Sequence, residues 1–316
     1  MEQNVNRRRF LGAAIGTGAA AAMAPSVALG HRAGARASAA GGRVPKNRRG
    51  IQLYTMREKM KNQSQARSVL RWLGRNGYTE VETAGHYDWT AAQFKAELKA
   101  AGLRAVSGHD GPDFSQANWR DTYPTTLEYA AELGQQYTGL AWFPPPYDTV
   151  DWSALASNFN EAGAMAKDYG LQFFYHNHNF EFENKVNGRP AYDILLREAD
   201  RRLVKFELDL FWITEGGSNA VEYLKSDPAR FFAYHVKDHV WGDRRKADGS
   251  DEADFEDVGP GMLDFPDLFD AGDGNRGLDK HYFIEHDSPW LSHPNDAQAE
   301  FKTARAGIKY LETVRW

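Results

Sequence analysis

The chain contains no cysteine in its 316 residues. Disulfides and thiolate metal ligands are therefore excluded, and any metal site has to draw on His, Asp, Glu or Asn. A second absence concerns phosphate. No glycine-rich turn of the GxGxxG type follows the first strand-like run, "GIQLYTMR", which weakens a dinucleotide-binding reading. Basic charge is also scarce where a partner would meet it. Residues 1–49 carry nine Lys/Arg and one acid, which leaves 29 basic against 42 acidic residues beyond, a net of −13. Such a body repels phosphate backbones, so no nucleic-acid partner is expected. A long apolar run is missing too. The stretch from Leu11 to Ala24 is too short and too glycine-rich to span a bilayer, and no stable membrane insertion is expected. What the chain does have is 42% hydrophobic and 13% aromatic residues, enough for a sizeable packed core.

The basic N-terminus, "NRRRFLGAAIGTGAAAAMAPSVALG", resembles a twin-arginine export signal, with Arg7 and Arg8 as the pair. Residues 1–30 are assigned to that signal, 31–49 to a flexible lead-in, and 50–316 to one folded domain. Export to the periplasm, or otherwise by the twin-arginine route, is the expectation. From residue 50 a unit recurs. A short apolar strand run is followed by a helical pattern such as Ala66, Val69, Leu70 and Leu73, and then by a glycine. Gly77, Gly102 and Gly170 stand at such helix–strand junctions, a third helix is read from near Pro124, and a last one from about 296 to 314. Eight strand candidates alternating with helices over about 265 residues predict a parallel (β/α)8 barrel, with a doubly wound open sheet as the alternative.

A barrel of this kind works at the C-terminal ends of its strands. The last four candidates end alike, each with two polar residues spaced by two and therefore on one face. They are His176 and His178 in "LQFFYHNHNFEF", Glu207 and Asp209 in "FELDLFW", His235 and Lys237 in "YHVKD", and Glu285 and Asp287 in "FIEHD". Gathering several carboxylates in one mouth is unfavourable unless a cation neutralises them. We expect one divalent metal ion held by His176, Asp209, His235 and Glu285. Mixed imidazole and carboxylate ligands suit Mn, Zn, Co or Fe better than Ca or Mg. The alternative is a hydrogen-bonded polar plug.

These residues also carry a resemblance. With "YTEVET", "LRAVSGHDG", "FYHNHNFEF", "ELDLFW", "YHVKD", "VGPGMLDF" and "FIEHD", the chain resembles the xylose isomerase-like TIM barrels, often called sugar phosphate isomerases/epimerases, over residues 50–314. The resemblance implies one divalent metal held by a Glu, an Asp, a His and a second Glu. Here the first Glu is replaced by His176. It further implies an enzyme that removes a proton next to a sugar carbonyl and stabilises the enediolate on the metal. Glu285 is the expected base, His178 an alternate base or proton shuttle, and Lys237 a support for the developing oxyanion, its alternative being an ion pair with Asp238 or Asp287. Glu207 either orients His176 or His235 or is a paired core carboxylate, the latter being slightly favoured. Tyr54, Glu82, His109 and Trp142, one from each early strand end, are expected to bind substrate, the alternative being ordinary packing. Export and the lack of a basic cluster at the late strand ends point to a non-phosphorylated sugar or glycoside. The principal expectation is a sugar isomerase or epimerase. One alternative is a 3-keto-glycoside lyase or hydratase acting by β-elimination, which the histidine replacement favours. Another is a metal-dependent sugar-binding protein without catalysis. The sequence sets no oligomeric state.

Overall fold

Eight strands pair in parallel, as the strand–helix rhythm of the sequence requires. The computed structural model describes residues 41–240, 254–273 and 280–316, so the expected export signal lies outside the described residues. The barrel strands are β1 Arg49–Gln52, β2 Glu80–Thr83, β3 Arg104–Gly108, β4 Tyr137–Leu140, β5 Gln172–His176, β6 Val204–Asp209, β7 Phe231–Val236 and β8 His281–Ile284. Their order is β3-β2-β1-β8-β7-β6-β5-β4. The two end strands meet through Gln136 N–H donating to Val106 O (2.8 Å) and Gly111 N–H donating to Gly139 O (2.7 Å), so the sheet nearly closes. This is the expected TIM barrel.

The main helices are α1 Gln63–Arg75, α2 Ala91–Ala101, α3 Trp119–Leu133, α4 Trp152–Asp168, α5 Ala191–Glu198, α6 Ala220–Ser226, α7 Phe265–Asp273 and α8 Ala299–Thr313. Helix α1 buries Ala66, Val69, Leu70 and Leu73, the stripe read from the sequence. Thr90 and Gln93 form a capping box at the start of α2, and Gly102 ends it in the left-handed region at φ 75°. Helix α3 starts at Trp119, five residues before the expected start near Pro124. Trp119 and Tyr123, one turn apart, are both buried and carry the first turn across a proline that has no N–H to give.

Two apolar layers result. The larger fills the space between sheet and helices. A smaller one, made of Val106, Phe174, Phe232, Ala233 and Phe283, plugs the barrel. The lead-in also differs from expectation at its C-terminal end. Val44 is buried, and Gly42 exchanges backbone hydrogen bonds with Trp316 in both directions, so residues 41–49 pack onto the barrel. Short polar-looking sequence gave no sign of this, because the contacts are made by backbone, by one valine and by Arg48 and Arg49, whose guanidinium groups reach His281 and Glu312.

Candidate active site

The polar residues of the late strands stand one layer above the plug. Side chains two apart on a strand share a face. Phe174 of the plug is thus followed upward by His176, Ala233 by His235, and Phe283 by Glu285. Glu82 and Glu207 join this layer at two irregularities. The β2–β3 register shifts between Val81 and Glu82, and the β6–β7 register shifts between Phe206 and Glu207. Such shifts re-aim side chains next to active sites.

Both glutamates are fully buried and both hold imidazoles. Glu207 Oε2 lies 3.2 Å from His176 Nδ1, 3.0 Å from His235 Nε2 and 3.4 Å from His109 Nε2. Glu82 Oε1 accepts from Gln52 Nε2 (2.7 Å) and lies 2.8 Å from both His109 Nε2 and His235 Nε2. Glu207 is therefore an orienting carboxylate for three rings, the reading that the sequence slightly disfavoured. Burial alone would lower the pKa of His109, but Glu82 and Glu207 raise it to about 10. Against the same desolvation, Glu207 and Glu285 hold His235 well above its usual range. His176 goes the other way. Burial, then the neighbouring His235, keeps it neutral.

The other nitrogens of His176 and His235 lie near Asp209, that of His235 being shared with Glu285. Asp209 Oδ1 caps the following turn, accepting from Phe211 N–H (2.9 Å) and Trp212 N–H (2.8 Å). Its Oδ2 is buried without a hydrogen-bond partner. That oxygen lies 3.8 Å from His176 Nε2 and 3.8 Å from His235 Nδ1, and His235 Nδ1 lies 2.8 Å from Glu285 Oε2. One atom from each of His176, Asp209, His235 and Glu285 falls within 4.8 Å of the others. Neighbouring ligands about 2.1 Å from a transition ion sit roughly 3–3.5 Å apart, so the set needs only a small contraction to coordinate one. A second group, His109, His176, Glu207 and His235, also converges. Its carboxylate is already spent on the imidazoles, which is the outer-sphere arrangement that fixes metal-bound histidines. The residues present fit a divalent transition ion at the first set.

Lys237 supplies one cation of the cluster. Its buried Nζ lies 2.7 Å from Glu285 Oε2, 3.0 Å from Asp287 Oδ2 and 3.1 Å from Asp209 Oδ2. The last contact is within ion-pair range but off hydrogen-bond geometry, which leaves Asp209 Oδ2 orphaned. Of the two ion pairs considered for Lys237, the structure makes the one with Asp287. Asp238 is taken instead by the "VGPGMLDF" loop, accepting from the N–H groups of Gly259, Gly261 and Leu263 at 3.0–3.1 Å. A Cβ at Gly261 would stand 2.2 Å from that carboxyl, so the approach needs glycine. Burial raises Asp209 to about 6 and also raises Asp287, whereas Lys237 and His235 overcome it at Glu285 and hold that group well below its usual range. Five carboxylates, Glu82, Glu207, Asp209, Glu285 and Asp287, gather here around one ammonium, an excess of negative charge that a divalent cation, bound with His235 deprotonated, would offset.

Above this layer lies a cleft of about 520 Å³, with Tyr54, His109, Trp142, His176, His178, Lys237, Glu285 and Asp287 on its walls. Three of the four expected substrate contacts are there. Glu82 is the correction. It lies under the cleft, bonded to Gln52 and two imidazoles, and not on the wall. Two residues escaped the sequence reading. Asn177 Oδ1 accepts from Asp209 N–H (3.0 Å) and fixes that ligand's backbone, and Glu181 accepts from His178 N–H (2.9 Å) and from the Tyr175 hydroxyl (2.5 Å). Their position inside "HNHNFEF" was the available signal. His178 is kept neutral, its pKa lowered to about 3 by burial and then by Lys237, and its Nδ1 is buried without a partner.

Residues 70–313 match the model of the family described as "Xylose isomerase-like TIM barrel". Among curated proteins, an inosose dehydratase of Clostridium perfringens is 29% identical over 134 residues, 40% of this chain and 44% of the relative. The chain therefore aligns with less than half the length of that relative. Among solved structures, a sugar phosphate isomerase/epimerase from Parabacteroides distasonis superposes with a TM-score of 0.66 at 26% identity, over 84% of this chain and 98% of that one. The IolI protein, solved with a bound zinc atom, superposes with a TM-score of 0.62 at 16% identity over 84% and 98% of the two chains, a likeness of fold.

Proposed function

This chain belongs to the xylose isomerase-like TIM barrel family, and we propose that it is a metal-dependent lyase acting on a ring-oxidised, non-phosphorylated sugar derivative. His176, Asp209, His235 and Glu285 would hold the ion, which when bound supplies a Lewis acid beside the substrate carbonyl. The observation that carries the choice of lyase is the state of His176. Its Nδ1 is given to Glu207 and its Nε2 faces Asp209, so it offers no second base where the family pattern has a carboxylate. Two-base epimerisation needs acid and base on opposite faces of the substrate. Elimination needs one base and a proton for the leaving oxygen.

Glu285 and Asp287 are the carboxylates on the cleft wall, and one of them takes the proton next to the ketone. The C–H electrons become a carbon–carbon double bond, the bond from the β-carbon to its oxygen breaks, and that oxygen leaves with a proton, so no oxidant is needed. In a 3-keto-glycoside the proton comes from C2 and the leaving oxygen is the glycosidic one. His178, whose ring is on the same wall, relays the proton to it. Lys237 holds the deprotonated carboxylates in place. It is the one Lys or Arg on the cleft wall among the described residues and already contacts three carboxylates, which disfavours a phosphorylated substrate. The dehydratase relatives support elimination. Isomerisation is the second reading, supported by the likeness to the Parabacteroides isomerase/epimerase. Metal-loaded protein in D2O, given free sugars and 3-keto-glycosides and followed by NMR, separates the two. Aglycone release is expected, and deuterium entry at C2 with the glycosidic bond intact would replace the lyase by an isomerase. We also propose export through the Arg7–Arg8 signal. Cell fractionation that finds the protein outside the cytoplasm, and Arg7→Lys/Arg8→Lys protein retained in it, is the expected result.

A further inference from the structure

The cleft has a neighbour that the reaction itself does not explain. A larger cavity of about 750 Å³ lies over the seam where β3 and β4 meet. Its walls come from the loop after β3, the loop after β4 and one side of α4. Pro112, Phe114, Leu140, Phe143, Val150 and Leu155 give it an apolar lining. His109, Ala141 and Trp142 belong to both the cavity and the cleft, so the two spaces share a wall. Trp142 on that wall is 51% exposed, an unusual state for a tryptophan without a partner surface. The cavity wall also leads back to the chemistry. Phe143 packs edge-on against Phe180 at 5.3 Å, and Phe180 stacks on His178 at 5.7 Å.

The seam explains why the space exists here. Elsewhere around the barrel, neighbouring strands form ladders. Between β3 and β4 two backbone bonds alone close the sheet, and one of them ends at Gly111, where a Cβ would meet the Leu140 backbone at 2.6 Å. The loops diverge above that pinch. A monosaccharide fills a small part of the cleft and has no use for a larger apolar chamber beside it. Drug-sized ligands occupy pockets of about 300–1,000 Å³ lined mostly by apolar and aromatic side chains.

We propose that this cavity is the aglycone site, and that the substrate is a glycoside whose oxidised sugar lies in the cleft while a flat, aryl-containing aglycone lies against Trp142, Phe114 and Phe143. This rests on the elimination reading for its chemistry, since the group in the cavity is the one that leaves. The geometry sets the order of parts: sugar over His176 and Glu285, glycosidic oxygen near the His109–Trp142 wall, aromatic system over the seam.

The test compares methyl and 2-naphthyl glucosides, both unoxidised and 3-oxidised, on metal-loaded full-length protein. The unoxidised pair cannot eliminate and reads the cavity through binding alone, by calorimetry or quenching of tryptophan emission. The naphthyl glucoside is expected to bind at least tenfold more tightly than the methyl glucoside. Ala154→Trp, which puts an indole into the cavity from the exposed side of α4, should reduce that ratio at least tenfold. Leu155→Phe fills it from the inner side and should act in the same direction. Equal binding of the two glucosides, or a ratio that neither substitution moves, overturns the aglycone site. The oxidised pair reports on the reaction separately. If the naphthyl preference is present but neither oxidised glycoside releases its aglycone, the elimination reading fails while the site stands.

Discussion

The convergence of His176, Asp209, His235 and Glu285 was foreshadowed by period-two pairs at or just past the strand ends, with the first three in β5, β6 and β7 and Glu285 directly after β8. Glu82 and Glu207 were legible as candidates as well, but their shared hold on the imidazoles was not, because each sits at a register shift that no sequence pattern marks. Their role follows from contact with imidazoles, so it can be tested apart from the chemistry. Glu207→Gln should weaken divalent-metal affinity about 10–100-fold, as loss of an orienting carboxylate does, with a much smaller fall in turnover at saturating metal. A competition titration with a coloured chelator reads the first quantity, and unchanged affinity would make Glu207 a core carboxylate only. Lys237→Met asks what neutralises the cluster. Removing the ammonium leaves Asp209, Glu285 and Asp287 facing one another. The metal-free protein should lose about 3 kcal/mol and the metal-loaded protein much less. Calorimetric melting of both forms checks this, and equal losses would mean that no cation shares the site with Lys237.

At the level of elements, the strand and helix order was readable throughout, since glycines with positive φ at Gly77, Gly102 and Gly170 separate helix from strand. The loops were read as motifs without mechanism. "VGPGMLDF" looked like a family marker, and the structure gives it a cause. The Asp238 carboxylate, one residue past Lys237, gathers the amides of His239, Gly259, Gly261 and Leu263. Asp238→Ala orphans those donors and should cost at least about 3 kcal/mol, given that a hydrogen bond to a charged group contributes roughly 1.5–3. Urea unfolding reads the loss as a lower midpoint, and an unchanged midpoint would show that the loop is held by something else. The seam between β3 and β4 was also invisible in the sequence. It depends on two backbone bonds and a close approach at Gly111, and neither leaves a periodic trace.

For the molecule as a whole, charge is segregated. The apolar plug separates the metal-binding layer from the buried polar groups near the N-terminal end of the barrel. Outside the barrel, at the end of α7, Asp273 accepts from the Tyr234 hydroxyl (3.0 Å) and from Tyr282, and burial pushes its pKa up to about 6 against those two donors. A carboxyl whose folded pKa is raised stabilises the fold in its protonated form. That contribution is complete below about pH 4 and disappears as pH rises through about 6, a total of roughly 3 kcal/mol. Between those limits wild-type protein should lose about that much stability relative to Asp273→Asn. Parallel stability–pH curves for the two would contradict the assignment. No helix among the described residues is long and apolar enough to cross a membrane. The account as a whole turns on the cation that His176, Asp209, His235 and Glu285 are built to hold. Calorimetric titration of chelator-treated protein with Mn2+ or Zn2+ tests it most directly. Saturation at one ion per wild-type chain, and no saturable binding by Asp209→Asn, is the predicted result. Absence of stoichiometric binding, or the same binding by both proteins, would contradict it.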